Sequence, residues 1–221
     1  MRIDLIRHGA CLDHAFLRGQ SPSKLSTLGK QQMQEVFLDV ESVSSPERVI
    51  TSPANRCLEA ATEFYLKREK NAKIQVESGF QERHFGVWDG LSYDDVKLLD
   101  INGLQAYLEN PFEYFIEQSE SLKCFENRTL SAFEQCLKQA TSASLNHVLI
   151  VTHGGVIRVL LKHILGLNNE AMFQLEVGFA ARIRLDSFLL DPISCDVVHN
   201  PCFPKGYFIK LVELAQSPLK T

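Results

Sequence analysis

Long apolar runs, paired cysteines and a surplus of positive charge are all missing from these 221 residues. The longest apolar runs, such as Val148-Leu149-Ile150-Val151, fall far short of the roughly 20 residues that cross a bilayer. No membrane segment is expected. The opening Met1-Arg2-Ile3-Asp4 lacks the long apolar stretch of a secretory signal. The six cysteines, at 11, 57, 124, 136, 195 and 202, have none of the spacings of a disulfide framework. Both absences point to reduced thiols and a cytoplasmic address. A net charge of -4 argues against a nucleic-acid footprint. An anionic substrate would therefore have to be met by a local cluster of positive groups. No internal repeat and no low-complexity segment is visible.

What is present is the balance of a globular chain, with 45% hydrophobic and 23% charged residues. The length suits one well-buried α/β domain over 1–221. Short stretches at 3–6, 48–50, 73–77 and 148–151 read as strands, and amphipathic helices fall between them. In the first helix, capped by Ser26 or Thr27, Met33, Val36, Phe37 and Val40 recur at helical spacing. In the second, from about Ala54, Leu58, Ala61 and Tyr65 are expected to face inward. Phe133, Cys136, Leu137 and Ala140 mark a third, and Ile157, Leu160, Leu161 and Ile164 a fourth. Residues 181–185 alternate apolar with basic and read as a half-solvated strand whose Arg182 and Arg184 form a polar face. A loop at 191–206 precedes a last strand at 207–214. Near 90–120 a helical insertion is expected over the strand ends, with Tyr107, Phe112, Tyr114 and Phe115 as local core. The implied architecture is three layers, helices on both faces of a mostly parallel sheet.

Chemistry-bearing residues gather where strands end. Leu5-Ile6-Arg7-His8-Gly9 places a guanidinium and an imidazole after the first strand, with Gly9 allowing a sharp turn. Open α/β sheets bind ligands at the carboxyl ends of their strands. Arg offers a planar fork of donors to phosphate oxygens, and a His ring nitrogen can act as nucleophile. Thr51-Ser52-Pro53 then leads to Arg56 at the start of a helix, where unsatisfied N–H groups also favour an anion. Thr152-His153-Gly154-Gly155 repeats the strand-to-helix turn with a second imidazole. Glu82 lies in the irregular Gln81-Glu82-Arg83-His84-Phe85-Gly86-Val87-Trp88-Asp89-Gly90, which holds the only Trp. Each piece alone could be a solvated turn or a surface ion pair. Cys195-x3-His199-x2-Cys202 could supply three metal ligands, but without a fourth ligand or a CxxC pair no zinc site is expected.

Together, and in this order, the four segments resemble the histidine phosphatase superfamily, also called phosphoglycerate-mutase-like. The resemblance spans residues 5–155 and implies roles residue by residue. His8 would be the nucleophile that carries a phosphoryl group, with Arg7, Arg56 and His153 around the transferring oxygens. Glu82 would give a proton to the leaving alkoxide and later take one from water. No metal or other cofactor is implied, and the partner is a small-molecule phosphate ester. Gly154 would offer substrate its N–H at the helix start. Where many members have an Asn that contacts phosphate, this chain has His14, which either substitutes as a donor or points away. The first loop, Gly19-Gln20-Ser21-Pro22-x-x-Leu25-Ser26-x-x-Gly29, and Leu91-Ser92 after Gly90 lean toward the α-ribazole-5'-phosphate phosphatases of cobalamin synthesis. Gln20 would reach phosphate or ribose from this loop, or be a surface turn residue. A broad-specificity phosphatase and a phosphoglycerate mutase are the alternatives within enzymes. A phosphate-ligand sensor with a dead site is the third, and the complete set of His8, Arg7, Arg56, Glu82 and His153 argues against it.

Overall fold

The strand that leads to His8 is buried along its middle, and it sits where such a strand must, inside a sheet. β1 (Arg2–Arg7) is buried at residues 3–6. In the computed structural model, residues 1–13, 15–65 (without the side chains of 64 and 65), 74–190, 204 and 206–219 are described. β4 (His147–Thr152), buried throughout, runs parallel to β1 from Arg2 beside His147 to Arg7 beside Thr152. β2 (Arg48–Thr51) is parallel to β4, and β3 (Ile74–Val76) is parallel to β2. β5 (Arg182–Leu189) is antiparallel to β1, and β6 (Tyr207–Ala215) is antiparallel to β5. The order is β3-β2-β4-β1-β5-β6.

Helices cover both faces. Ile3, Leu5, Val148 and Ile150 pack against α5 (Leu122–Ser142) and α6 (Gly154–Leu165). Alternate residues Ile6, Val49, Leu149 and Val151 pack on the other face, against α1 (Thr27–Val43) and α2 (Asn55–Tyr65). This is the expected three-layer arrangement. The α1 stripe Met33, Val36, Phe37 and Val40 is buried, and Ser26 caps the helix by accepting from Gly29 N–H at 3.0 Å. Among the described residues no helix is long and apolar enough to cross a membrane. The described cysteines, Cys11, Cys57, Cys124 and Cys136, are free thiols.

Four expectations are corrected. The inner face of α2 is Cys57, Ala60 and Ala61, with Leu58 half-buried; small residues let the helix lie close to the sheet while Arg56 turns to the strand ends. Arg182 is no solvated face, being 3% exposed and held by Asp39 and Glu213 at 2.9 Å each. Gly9 does not have a left-handed φ; a Cβ there would meet Gly29 O at 2.2 Å, so the first turn of α1 requires its bare backbone. Near 90–120, α3 (Tyr93–Leu99) and α4 (Ile101–Glu109) enclose a small core of Trp88, Val96, Leu104, Tyr107 and Ile116, flanked by Tyr114. Phe112 packs instead on the α5–α6 side, 4.6 Å from the Phe173 ring, and Phe115 is 62% exposed. The predicted loop at 191–206 and the Cys195/His199/Cys202 group lie outside the described residues, apart from Pro204 and Gly206.

One polar network crosses the core. Asp4, fully buried in β1, accepts from Arg2 Nε at 2.6 Å and pairs with His147 Nε2 at 2.7 Å. Burial pushes the Asp4 carboxyl up, but hydrogen bonds from His147 and Arg2 outweigh it and hold it below 3.8. A lowered native value stabilises the fold above the unfolded value and is lost as pH falls through the native one. Asp4→Asn leaves two donors facing a neutral amide. It should cost about 3–5 kcal/mol at neutral pH and flatten the acid limb of stability, as read by urea denaturation against pH.

Candidate active site

Strand order brings the reacting groups together. β4 lies between β2 and β1, and its carboxyl end is level with theirs: Thr51 pairs with Val151, and Arg7 with Thr152. The next residues therefore leave the sheet side by side as Ser52, His153 and His8. Backbone bonds seal the exits, from Ser52 N to Val151 O and from His8 N to Thr152 O, each 3.0 Å.

The two imidazoles meet edge to face, with ring centroids 5.3 Å apart and planes at 68°. His8 Nδ1 donates to Gly9 O at 2.8 Å, which leaves Nε2 with a lone pair. That lone pair accepts from Arg56 Nε at 3.2 Å. Arg56, 1% exposed, also reaches Gly19 O at 2.6 Å, Ser21 O at 3.3 Å and His153 Nδ1 at 3.3 Å. It thus ties the first loop to both imidazoles. Arg7 Nη1 donates to Val177 O at 2.6 Å and its guanidinium stacks 4.2 Å over Phe179, while its buried Nε has no partner.

Electrostatics follow from burial. Burial first, then His153, Arg56 and Arg7, hold His8 well below 6.5. Burial, Arg56, Arg7 and Arg128 do the same to His153. Both rings are neutral near pH 7, so His8 Nε2 keeps its lone pair. Burial lowers Arg7 to about 10, with Glu82 opposing the shift, and Arg7 stays charged. The Cys57 thiol beside His153 is pushed up by burial to about 12 and is no thiolate.

Glu82, 8% exposed, sits on the start of α6. Its oxygens accept from Arg83 N and Gly155 N, each at 2.9 Å. A Cβ on Gly155 would come within 2.3 Å of Glu82 Oε1, so only glycine admits the carboxylate. Arg128 from α5 holds the segment in place by donating to Gly79 O, Gln81 O and Glu82 O at 2.7–3.0 Å while paired to Glu120 at 2.7 and 2.8 Å. The first loop is held by Asp89, whose oxygens accept from the backbone N–H of Gly19, Gln20, Ser21 and Phe85 at 2.9–3.2 Å. A lone-pair nitrogen, two guanidinium groups and a carboxylate at a helix start can transfer an anionic group between oxygens.

The structure brings His8, Arg7, Arg56, Glu82 and His153 to one place. Gly154 opens α6, and its bare Cα lies against Arg7 and Arg158, whose nitrogens would be 3.4 and 3.3 Å from a Cβ. The Gln20 side chain points back toward Glu82 O at 3.5 Å. His14 lies outside the described residues. Sequence reasoning missed Arg128, Phe179 and the roles of Ser52 and Asp89. The Asp89 acceptors were signalled only by the turn-rich loop that needs them. Phe179 and Arg128 had no local signal.

Comparisons with known proteins bear on the family and the fold. Residues 3–188 match the family model described as the histidine phosphatase superfamily, branch 1. A broad-specificity phosphatase of Saccharomyces cerevisiae is 26% identical over 178 residues, covering 77% of this chain and 73% of the relative. The adenosylcobalamin/alpha-ribazole phosphatase of Escherichia coli is 25% identical over 186 residues, covering 80% and 85%. The crystal structure of the alpha-ribazole phosphatase from Shigella flexneri superposes with a TM-score of 0.75 at 20% identity, over 100% of this chain and 99% of that one, which shows a common fold.

The buried rings make a pH prediction. Below the 6.5 of an ordinary His, the unfolded chain takes up protons that folded His8 and His153 refuse. Their contribution to stability is complete above about pH 6.5 and declines as pH falls below it. The ring NMR signals of His8 and His153 should stay neutral through pH 6.5 in the folded protein, with urea stability falling on the acid side. Titration of either ring near 6.5 contradicts this.

Proposed function

The chain belongs to the histidine phosphatase superfamily, and from that membership we propose that it hydrolyses a small-molecule phosphomonoester through a phosphohistidine on His8. One observation carries the reading: a neutral His8, its Nδ1–H spent on Gly9 O, turns its Nε2 lone pair toward Arg56. In the first step Nε2 bonds to phosphorus as the ester P–O bond breaks. The leaving alkoxide takes a proton from Glu82. In the second step Glu82 takes a proton from water, the water oxygen bonds to phosphorus, and the N–P bond breaks. Phosphate leaves and His8 is regenerated.

Charge in transit is spread over the phosphoryl oxygens, so fixed donors provide most of the stabilisation. Arg7 and Arg56 supply full charges from a buried site, and His153 supplies a hydrogen bond. Losing one such donor typically costs about 2.7–4 kcal/mol. Glu82 is seated where the helix start and the leaving oxygen would meet.

Among substrates we favour α-ribazole 5'-phosphate. The support is the likeness to the Escherichia coli phosphatase of that name and the Gly19-Gln20-Ser21-Pro22 loop. The broad-specificity phosphatase reading rests on the yeast relative. A screen of phosphomonoesters, including α-ribazole 5'-phosphate and phosphoglycerates, separates them. Selective kcat/KM for the ribazole ester is expected, and a flat profile overturns that choice in favour of broad specificity. Labelled substrate should leave an acid-labile phosphoryl group on the wild type and none on His8→Ala. Glu82→Gln should slow alkyl esters while sparing activated aryl phosphates; equal losses on both mean Glu82 is not the acid. Gly155→Ala, which displaces Glu82, should slow alkyl esters about 100-fold with Tm as the folding control.

A further inference from the structure

Ser52 stands among the reacting groups without a part in the chemistry so far. It is fully buried at the end of β2, with Oγ 2.7 Å from His153 Nε2. The same oxygen accepts from Ala54 N–H at 3.3 Å. On the other side of the ring, His153 Nδ1 lies 3.3 Å from Arg56 Nη2, and Arg56 reaches His8 Nε2 through its Nε.

A neutral His153 has two tautomers, and its partners choose between them. With hydrogen on Nε2, the ring donates to Ser52 and accepts from Arg56, which leaves no N–H for an anion. Ser52 would then accept twice, and its own hydrogen would have only the Cys57 sulfur, a weak acceptor. With hydrogen on Nδ1, Ser52 donates to Nε2 and accepts from Ala54, so its capacities are matched by strong partners. His153 Nδ1–H and Arg56 Nη2–H then lie side by side as two donors. An anionic oxygen between them accepts from both.

We propose that Ser52 is a positioning residue for phosphoryl transfer: its hydroxyl donates to His153 Nε2, fixes the Nδ1–H tautomer and aims that N–H, with Arg56, at the transferring phosphoryl. The two imidazoles are then held in opposite roles. His8 gives its Nδ1–H to Gly9 O and attacks with Nε2; His153 takes a hydrogen bond at Nε2 and donates with Nδ1. This assignment rests on the phosphohistidine reading of the site.

The test uses the full chain labelled with 15N, free and with orthovanadate as the probe of the transferring group. Long-range histidine spectra should show His153 protonated at Nδ1 and bare at Nε2 in both states. Ser52→Ala should move the proton to Nε2 and lower kcat about 10- to 100-fold, the usual reach of a residue that orients a reacting ligand. Ser52→Thr keeps the hydroxyl and should recover both the spectrum and most of kcat. A proton on His153 Nε2 in the wild type, alone or with Nδ1, overturns the assignment. So does a folded Ser52→Ala with unchanged kcat. If Ser52→Ala fails to fold, the wild-type spectrum and Ser52→Thr decide. A wild type that hydrolyses no phosphomonoester refutes the phosphatase reading instead, and the spectrum of the free protein still tests Ser52.

Discussion

A charged guanidinium buried without a charged acceptor is the constraint on which this site depends. Arg56 is almost wholly enclosed, and its bonds run to two carbonyls and His8 Nε2, with His153 Nδ1 3.3 Å away. None of these acceptors carries a full negative charge. Removing a cation from water is costly unless an opposite charge or enough hydrogen bonds replace the lost hydration. Here the hydrogen bonds hold the group, and its charge is left for an anion. Arg7, with Glu82 nearby, is stacked on Phe179 with one buried N–H unused. In the proposed reaction both guanidinium groups would meet the transferring phosphoryl group.

The same burial sets the state of the imidazoles. In water half of such rings would be protonated near pH 6.5, and a protonated His8 could not attack. Enclosure and neighbouring positive charge keep both rings neutral, so one environment prepares the proposed nucleophile and the proposed anion pocket together. The sheet makes this arrangement rigid. His8, His153 and Ser52 follow three adjacent parallel strands whose register is fixed by a core of Leu5, Ile6, Leu149 and Ile150.

Glu82 is positioned by different means. It belongs to an irregular segment, as many functional residues on rigid scaffolds do. Its backbone is held by Arg128 from α5 and its carboxylate by the N–H groups of Arg83 and of Gly155 at the start of α6. The first loop is held likewise, by Asp89 from one side and Arg56 from the other. Loops that must keep a fixed shape without strands or helices use buried or half-buried charged side chains as fasteners.

Local order was what the sequence by itself determined. The apolar run at 3–6, the all-buried run at 148–151 and the stripes of α1, α5 and α6 were legible, because hydrophobic period is written within a few residues. So were the turns and the glycine-marked loop that carry His8, Arg7, Arg56, Glu82 and His153, although only the resemblance of the four segments to the histidine phosphatase superfamily singled those residues out. Partner choice was decided only by the tertiary structure. The hydroxyl of Ser52 meets a ring 101 positions away, and Asp89 fastens a loop some 70 positions before it. Arg182 looked solvated in a pattern of alternating residues and is instead buried between Asp39 and Glu213. On α2, Ala61 faces inward as expected, but Cys57 and Ala60 share that face in place of Leu58. A side chain's hydrogen-bonding partners and burial depend on which strands become neighbours and in what register, and that is settled by packing over the whole chain.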